Sequence, residues 1–199
     1  MLSNPLPSRY NMARLLYNAG PIAHLSGEGP LSGISMTNPN LIYPKGMAIL
    51  IENEIITKIG ETEELIEEFG QAELTDLEGR AVIPGLVDAH AHLLWDGDRS
   101  QEVSWKQQGK SYRQISELGG GIASTVFETR KANEGRLIHV GVERLREALR
   151  NGTTHMEVKS GYGLNTESEL RLLEIAETLG AQSNLPSLDP TWLGAHAAA

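Results

Sequence analysis

The chain has 199 residues and no cysteine, and apolar residues make up 40% of it, a composition typical of a folded globular protein. The absence of cysteine excludes disulfides, thiolate metal sites and cysteine nucleophiles, and it is compatible with a cytoplasmic location. With 17 basic and 26 acidic residues the formal net charge is −9, which argues against a nucleic-acid-binding protein. No apolar run is long enough for a transmembrane helix, so we expect no membrane association.

The first 80 residues are predicted to form a small β-rich unit. Glycine, proline, serine and asparagine are scattered over residues 18–46, a composition that predicts loops between short strands. Two β-type runs follow at residues 47–51 and 55–59, and a short polar turn separates them. Two such runs around a short turn predict a β-hairpin.

A short helix and another strand are predicted after the hairpin. The segment TEELIEEF over residues 62–69 suits one or two helical turns, and Thr62 is the predicted N-cap. Residues 77–84 return to a strand-like pattern. This strand would lead directly into the second part of the chain, residues 81–199.

Residues 81–199 alternate between strand-like and helix-like patterns, which predicts a parallel sheet built from βα units. Asn133 is the predicted N-cap of the first helix, and a capping-box pattern from Thr166 to Glu169 opens the second. The predicted strands cover residues 86–94, 153–158 and 191–196, the helices cover residues 133–150 and 166–179, and a long polar stretch covers residues 96–121.

Two histidines, His90 and His92, lie two residues apart on the strand-like run. Side chains alternate along a strand with period two, so both imidazoles and the Asp88 carboxylate are expected on one face. Two imidazoles near the end of a strand can occupy neighbouring positions around a metal ion. The alternative is a pair of histidines packed among polar neighbours, because a bare His-x-His pattern is common.

Five motifs give the chain a resemblance to a known family. In chain order they are Pro84–His92 (PGLVDAHAH), Gly97–Arg99 (GDR), Gly119–Val126 (GGGIASTV), Glu157–Leu164 (EVKSGYGL) and Gly194–His196 (GAH). With these motifs the chain resembles the imidazolonepropionase family of the amidohydrolase superfamily from about residue 47 to its end. The resemblance implies a metal-dependent hydrolase built on a (β/α)₈ barrel, which a small β-sandwich domain accompanies.

We therefore expect an α/β chain in which residues 81–199 begin a TIM-like (β/α)₈ barrel. Residues 1–80 would form part of the small β-sandwich domain. A complete barrel takes roughly 250 residues, and the second part of the chain has room for about three βα units. We expect the chain to be the N-terminal part of a longer protein and to be inactive by itself.

The resemblance also implies roles for five side chains. His90 and His92 would ligate Zn²⁺ or Fe, while Arg99, Tyr162 and His196 would bind the substrate, 4-imidazolone-5-propanoate. Hydrolysis of this cyclic amide would give N-formimidoyl-L-glutamate in L-histidine degradation. The guanidinium fork of Arg99 suits the propionate carboxylate. The remaining metal ligands and the general base are expected beyond residue 199.

Two residues near the motifs need separate interpretation. Asp96 departs from the family pattern and adds negative charge near a site for an anion. Lys159 shares a strand face with Glu157, so an ion pair is the expected arrangement, rather than a carboxylated lysine that bridges two metals.

Two alternatives to the main hypothesis stay open: another cyclic amidohydrolase or a deaminase, and a non-catalytic remnant of the fold. The expected partner is the small-molecule substrate, and we expect neither nucleic acid nor membrane as a partner. A homodimer is compatible with the resemblance.

Overall fold

The structure, a computed structural model, describes residues 13–25 and 30–197. The chain divides between Pro84 and Gly85 into two structural units, called here the first unit and the second unit. That these two parts of the chain belong to a β-sandwich domain and to a barrel stays a prediction.

The described residues of the first unit are rich in short strands. Four strands form a mixed sheet in which the first described strand lies between an antiparallel and a parallel neighbour. In chain order the strands are β1 (Ala13–Tyr17), β2 (Ile22–Ala23), β3 (Ile42–Tyr43), β4 (Met47–Glu52), β5 (Ile55–Glu61) and β6 (Glu73–Asp76). The mixed sheet has the order β5-β4-β1-β6, and β2 pairs separately with β3. Short 3₁₀ helices cover Gly33–Thr37 and Pro39–Leu41 of the predicted loop region, of which residues 26–29 lie outside the described ranges.

The predicted hairpin is confirmed, because β4 and β5 pair antiparallel with Ala48 opposite Gly60. Its two turn residues, Asn53 and Glu54, have positive φ angles of 53° and 66°. Positive φ at both positions is typical of the type I′ turn, whose twist matches the twist of the flanking strands. The polar turn therefore joins two neighbouring strands directly.

Helix α1 (Thr62–Phe69) is confirmed, but Thr62 is its first residue and not its cap. The N-cap position belongs to Glu61, whose side chain makes no capping hydrogen bond. The Thr62 hydroxyl instead accepts a hydrogen bond from the backbone N–H of Asn18 at 3.1 Å. The Thr62 hydroxyl therefore makes a tertiary contact with Asn18 instead of the predicted capping bond, and no local sequence pattern reveals such a contact.

The prediction of a strand over residues 77–84 is wrong. The chain turns at Glu78 and Gly79, which have φ angles of 54° and 73°. Val82 then forms an isolated bridge with Ile22. The turn separates this bridge from β6, so the apolar residues of the segment do not extend one strand.

The core of the first unit lies on both faces of β4. Residues 47–50 are at most 7% exposed. Ala48 and Leu50 pack with Leu65 of α1 on one face, whereas Met47 and Ile49 belong to a second cluster on the other. Burial on both faces explains why this strand is an uninterrupted apolar run without alternation.

The second unit combines a parallel sheet with helices, which confirms the mixed α/β class. Its strands are β7 (Leu86–Ala91), β8 (Thr153–Lys159) and β9 (Ser187–Thr191), in the order β7-β8-β9. Its helices are α2 (Gln101–Gln107), α3 (Tyr112–Glu117), α4 (Gly121–Lys131), α5 (Glu134–Arg150) and α6 (Thr166–Gly180). Within the described ranges helices follow β7 and β8, so two of the three predicted βα units are complete.

Helices α5 and α6 lie where the sequence predicts them. The Asn133 side chain accepts a hydrogen bond from the N–H of Arg136 at 2.8 Å, which confirms the predicted cap of α5. The predicted capping box of α6 is wrong, because Asn165 is the N-cap and accepts from the N–H of Ser168 at 2.8 Å. The apolar faces of both helices pack against β8 in a cluster that includes Leu137, Leu145, Met156, Val158, Leu172, Ile175 and Leu179.

The long polar stretch over residues 96–121 contains two helices that its pattern did not predict. Helix α2 buries Glu102 and α3 buries Ile115. Neither helix has the apolar stripe on which a sequence-based prediction depends. No helix in the described part of the chain is long and apolar enough to cross a membrane.

The strand-like run over residues 86–94 is shorter and more exposed than predicted. Strand β7 ends at Ala91, and its residues Leu86 and Val87 are 49% and 64% exposed. Their exposure follows from the position of β7 at one edge of the described sheet. The following residues, Leu93 and Leu94, are buried in the core instead.

Strand β9 lies four residues earlier in the chain than the predicted strand over residues 191–196. Proline lacks the N–H that backbone pairing between strands requires, so the presence of Pro190 argues against predicting a strand at this position from the sequence. The edge position of β9 in the described sheet tolerates it. Beyond Thr191 the chain turns, and the N–H of His196 donates to the carbonyl of Leu193 at 3.1 Å.

Candidate functional site

Four predicted site residues lie together at the carboxyl ends of the three parallel strands: His90 within the last residues of β7, and His92, Tyr162 and His196 just beyond the ends of β7, β8 and β9. The His92 ring contacts the other three rings, with centroid distances of 4.4 Å to His196, 5.1 Å to Tyr162 and 5.6 Å to His90. The rings of Tyr162 and His196 are 5.5 Å apart and nearly perpendicular. The structure therefore brings together both predicted metal ligands and two of the three predicted substrate-binding residues.

The two histidines reach this cluster through an irregular part of β7. Asp88 lies opposite Met156 and Ala91 lies opposite Val158, so β7 holds one more residue than β8 between these pairs. Such a bulge interrupts the simple alternation of side chains, and it weakens the argument that placed three polar residues on one face. The Asp88 carboxylate accepts a hydrogen bond from the backbone N–H of His90 at 3.1 Å.

His92 is partly buried at the centre of the ring contacts. Both of its ring nitrogens are buried, and neither makes a hydrogen bond of normal geometry among the described residues, although the Ser160 backbone is close enough to oppose part of the pKa shift. Burial lowers the pKa of His92 below its usual value, and the nearby His196 and His90 lower it further. The imidazole is therefore neutral near pH 7, the form in which histidine binds metals.

The histidine cluster alone does not make a complete metal site. No group of three or more His, Cys, Asp or Glu side chains within residues 13–25 and 30–197 is arranged to hold a metal ion. A buried polar atom without a partner is unfavourable and calls for a ligand or ion. His90 and His92 can thus supply part of a coordination shell.

Lys159 forms the ion pair with Glu157 that the sequence predicts. The same Glu157 carboxylate accepts a hydrogen bond from the Thr191 hydroxyl at 2.8 Å, and the two contacts lower its pKa. The Lys159 side chain is 14% exposed. This lysine is thus paired within β8, and the Glu157 carboxylate joins β8 to Thr191 at the end of β9.

Tyr162 and His196 come from two turns that contact each other. The buried Ser160 precedes the Tyr162 loop, and its hydroxyl accepts a hydrogen bond from the N–H of Leu193 at 3.0 Å. A Cβ atom on Gly161 would lie 2.8 Å from the Cβ of His196. Glycine is therefore required where the two turns pass, and their close contact sets the two rings side by side.

Arg99, the third predicted substrate-binding residue, forms a bidentate ion pair with Glu102. Its Nε and Nη2 atoms donate to the two carboxylate oxygens at 2.7 and 2.9 Å. One of these oxygens also accepts the N–H of Gly121 at 2.6 Å. The sequence predicted an Arg99 fork that is free for a substrate carboxylate, whereas the structure shows a fork that already binds one.

Asp96 does not contribute an uncompensated charge. The Arg136 guanidinium donates to both of its carboxylate oxygens at 3.1 to 3.2 Å. This contact lowers the pKa of Asp96 and keeps it ionised. The negative charge that departs from the family pattern is therefore balanced within the chain.

Two residues that support the site were not found by sequence reasoning, namely Glu102 and Glu169. Their exposures are 5% and 0%. Glu102 lies in an unpredicted helix, and Glu169 matched a capping box. No local pattern marks either residue, because each glutamate binds backbone N–H groups of a loop, and these groups carry no residue-specific signal.

The fold is similar to that of solved amidohydrolase structures. One structure of an amidohydrolase has a TM-score of 0.52 and 17% identity, and the match covers 90% of this chain and 31% of that one. An uncharacterized metal-dependent hydrolase from Pyrococcus furiosus has a TM-score of 0.52 and 14% identity, covering 90% of this chain and 50% of that one. At these identities the likeness concerns the fold alone.

The sequence is similar to curated imidazolonepropionases. The protein from Paracoccus denitrificans is 41% identical over 150 residues, which are 75% of this chain and 37% of the relative. The protein from Bdellovibrio bacteriovorus is 35% identical over 196 residues, or 97% of this chain and 45% of the relative. No family model matches the sequence. The chain thus resembles imidazolonepropionases while spanning less than half of the length of these relatives.

Proposed function

We propose that the chain supplies part of the active site of an imidazolonepropionase. The reaction adds water across the ring amide of 4-imidazolone-5-propanoate. The bond between the carbonyl carbon and the ring nitrogen breaks, the carbon becomes a carboxylate, and the nitrogen stays in the formimidoyl group of N-formimidoyl-L-glutamate. The observation that carries the proposal is the similarity to imidazolonepropionases in a chain that clusters His90, His92, Tyr162 and His196.

A metal ion, Zn²⁺ or Fe, fits two of these residues. His92 presents two buried ring nitrogens that make no hydrogen bond of normal geometry among the described residues, and its lowered pKa keeps them free of a second proton. His90 lies beside it. These two histidines would hold the ion together with ligands from outside the described residues. When bound, the ion would lower the pKa of a water and polarise the ring carbonyl.

The remaining side chains would bind and orient the substrate. The Tyr162 hydroxyl and the His196 ring offer polar groups to the amide ring from adjacent turns. Because Glu102 engages the Nε–Nη2 edge of the Arg99 guanidinium, the edge formed by Nη1 and the second N–H of Nη2 would bind the propionate. A cytoplasmic location also belongs to this proposal.

A chimaera tests the proposal. The matching segment of the Paracoccus denitrificans imidazolonepropionase is replaced by this chain, and the loss of 4-imidazolone-5-propanoate is followed by absorbance. We expect turnover by the chimaera and none by the 199-residue chain alone. A folded chimaera that leaves this substrate unchanged would contradict the proposal.

The metal assignment has its own test in the same chimaera. His92→Ala should remove most of the bound metal, because the ion loses one of its proposed ligands. It should also remove nearly all turnover, because the proposed reaction depends on that ion. His139→Ala is the control, since His139 is an exposed residue of α5. Elemental analysis of the purified proteins gives the metal content, and unchanged content in His92→Ala would overturn the ligand role.

A further inference from the structure

Glu169 is a buried acidic residue of α6. Within the described part of the chain, its carboxylate accepts hydrogen bonds from backbone N–H groups only. Glu169 lies in the first turn of α6 and is 0% exposed. Its two oxygens accept hydrogen bonds from the N–H groups of Gly161, Gly163 and Leu164 at 2.6, 2.8 and 2.6 Å. A buried carboxylate is stable only with such partners, so Glu169 and the loop over residues 161–164 depend on each other.

The loop that Glu169 holds has little freedom to adopt another shape. Gly161 and Leu164 have φ angles of 122° and 51°, and the second value is uncommon for a leucine. A Cβ atom on Gly163 would lie 2.7 Å from the backbone nitrogen of Glu169. The carbonyl of Gly163 also accepts a hydrogen bond from Nε of Arg130 at 2.5 Å. The loop is therefore pressed against the start of α6 and fixed from two sides.

Tyr162 lies between two of the N–H groups that Glu169 binds. Its backbone is thus fixed on both sides, and its ring contacts His92 and His196. Gly161 in turn leaves no room for a Cβ atom beside His196. A shift of the loop by even a few tenths of an ångström would move Tyr162 relative to both histidines.

We propose that Glu169 is a positioning residue that sets the Tyr162 ring against His92 and His196 by binding the backbone on both sides of Tyr162. This inference deepens the proposed function and rests on it, because the value of the arrangement is the placement of substrate-binding groups. Glu169 touches neither ring and acts through the loop. Its replacement should therefore disturb the site while leaving the rest of the second unit unchanged.

Histidine NMR of the 199-residue chain tests the placement without any need for turnover. The chain is labelled at the histidine ring carbons and studied at low concentration. Glu169→Gln keeps the size of the side chain but replaces one acceptor oxygen by an amide group that faces N–H donors. We expect the His92 and His196 signals to move, while the signals of His139 and His155, outside the cluster, stay in place.

A double-variant comparison shows whether the effect passes through Tyr162. In a Tyr162→Ala background the loop no longer carries the ring. Glu169→Gln should then move the His92 signal by less than half of the shift that it causes in the chain with Tyr162. Coupling of this kind is the mark of residues that act together. Glu102→Gln is the matched control, since it alters a buried glutamate that binds another loop, and its effect should not change in the Tyr162→Ala background.

Two variants keep the test decisive. Glu167→Gln removes an exposed charge from the first turn of α6 and should leave all histidine signals unchanged. If far-UV circular dichroism shows that Glu169→Gln is unfolded, Glu169→Asp, which keeps the charge on a shorter side chain, replaces it. Unchanged His92 and His196 signals in a folded variant would overturn the positioning role. The role would also be overturned if Glu169→Gln moved the His92 signal equally in the chain with Tyr162 and in the Tyr162→Ala variant. Lack of turnover by the chimaera would instead refute only the proposed function.

Discussion

At the scale of single residues, Arg99 is where the structure changes the interpretation most. Its guanidinium binds the buried Glu102 carboxylate, so a simple loss of the arginine has two consequences. One is the loss of the proposed partner of the propionate, and the other is a buried carboxylate without its cation. A test of the substrate role must separate the two.

We predict that Arg99→Met in the chimaera lowers kcat/KM for 4-imidazolone-5-propanoate by roughly 30-fold to several thousand-fold, which corresponds to about 2–5 kcal/mol. The Arg99→Met, Glu102→Gln double variant removes the buried charge as well and should recover stability but not activity. The propionamide analogue of the substrate carries no charge on this tail. It should react almost equally well with the unchanged chimaera and with its Arg99→Met variant. If both substrates suffer equally, Arg99 holds its loop in place and does not bind the carboxylate.

The Glu102 carboxylate also predicts a dependence of stability on pH. The Arg99 guanidinium and the N–H of Gly121 lower the pKa of Glu102 to about 2, compared with 4.5 when the chain is unfolded. Between these values the unfolded chain binds more protons, so this contribution is complete above pH 4.5 and is lost as the pH falls towards 2. Glu102→Gln should flatten the fall of the urea midpoint across that window. Glu117→Gln, which alters an exposed pair with Arg113, should leave the fall unchanged.

At the candidate site, the sequence predicted which residues lie together better than it predicted their surroundings. The motifs identified His90, His92, Tyr162 and His196, and the structure brings these four together. The hydrogen bonds between Glu169 and the loop over residues 161–164 could not be predicted. They join a helix to a loop through backbone N–H groups, which carry no residue-specific signal. The bulge in β7 likewise depends on how two distant strands align.

At the scale of elements, prediction succeeded where local signals were strong. The hairpin has two apolar runs around a polar turn, and α5 and α6 combine apolar periodicity with flanking caps. It failed for α2 and α3, which bury one residue each. It also failed for β9, where Pro190 hides a strand that only its edge position allows.

The packing of α5 on α6 predicts opposite effects for two glycines of the same helix. A Cβ atom on Gly141 would lie 2.6 Å from Cδ1 of Leu179 and 3.0 Å from Cδ2 of Leu94. Both leucines are buried, so they cannot move into solvent, and overpacking costs about 1–3 kcal/mol. Gly141→Ala should therefore lower the free energy of unfolding, measured by urea denaturation, although alanine favours helices.

Gly135→Ala is the matched control. A Cβ atom there would meet Oδ1 of Asn133 at an ordinary 3.5 Å, so the variant should be stabilised by about 0.5–1 kcal/mol through helix propensity. Equal effects of the two substitutions would show that α5 does not pack against α6 through Gly141.

At the scale of the whole molecule, the second unit presents sheet edges and apolar side chains to solvent. β7 and β9 have a strand neighbour on one side each within the described residues. Val87 on β7 is 64% exposed, Leu86 is 49% exposed, and Trp192 beyond β9 is 47% exposed. Unpaired edges with apolar neighbours are templates for association between chains.

We therefore predict that the 199-residue chain associates with itself as its concentration rises, which sedimentation velocity would show. Val87→Lys places a charge on the β7 edge, where lysine opposes pairing, and it should shift the distribution towards the monomer. Leu170→Lys is the control, because Leu170 is 47% exposed on α6 and lies on no strand. Association that both substitutions weaken equally would reflect general surface hydrophobicity and not the sheet edge, and a monomer at every concentration would show that the edge is protected.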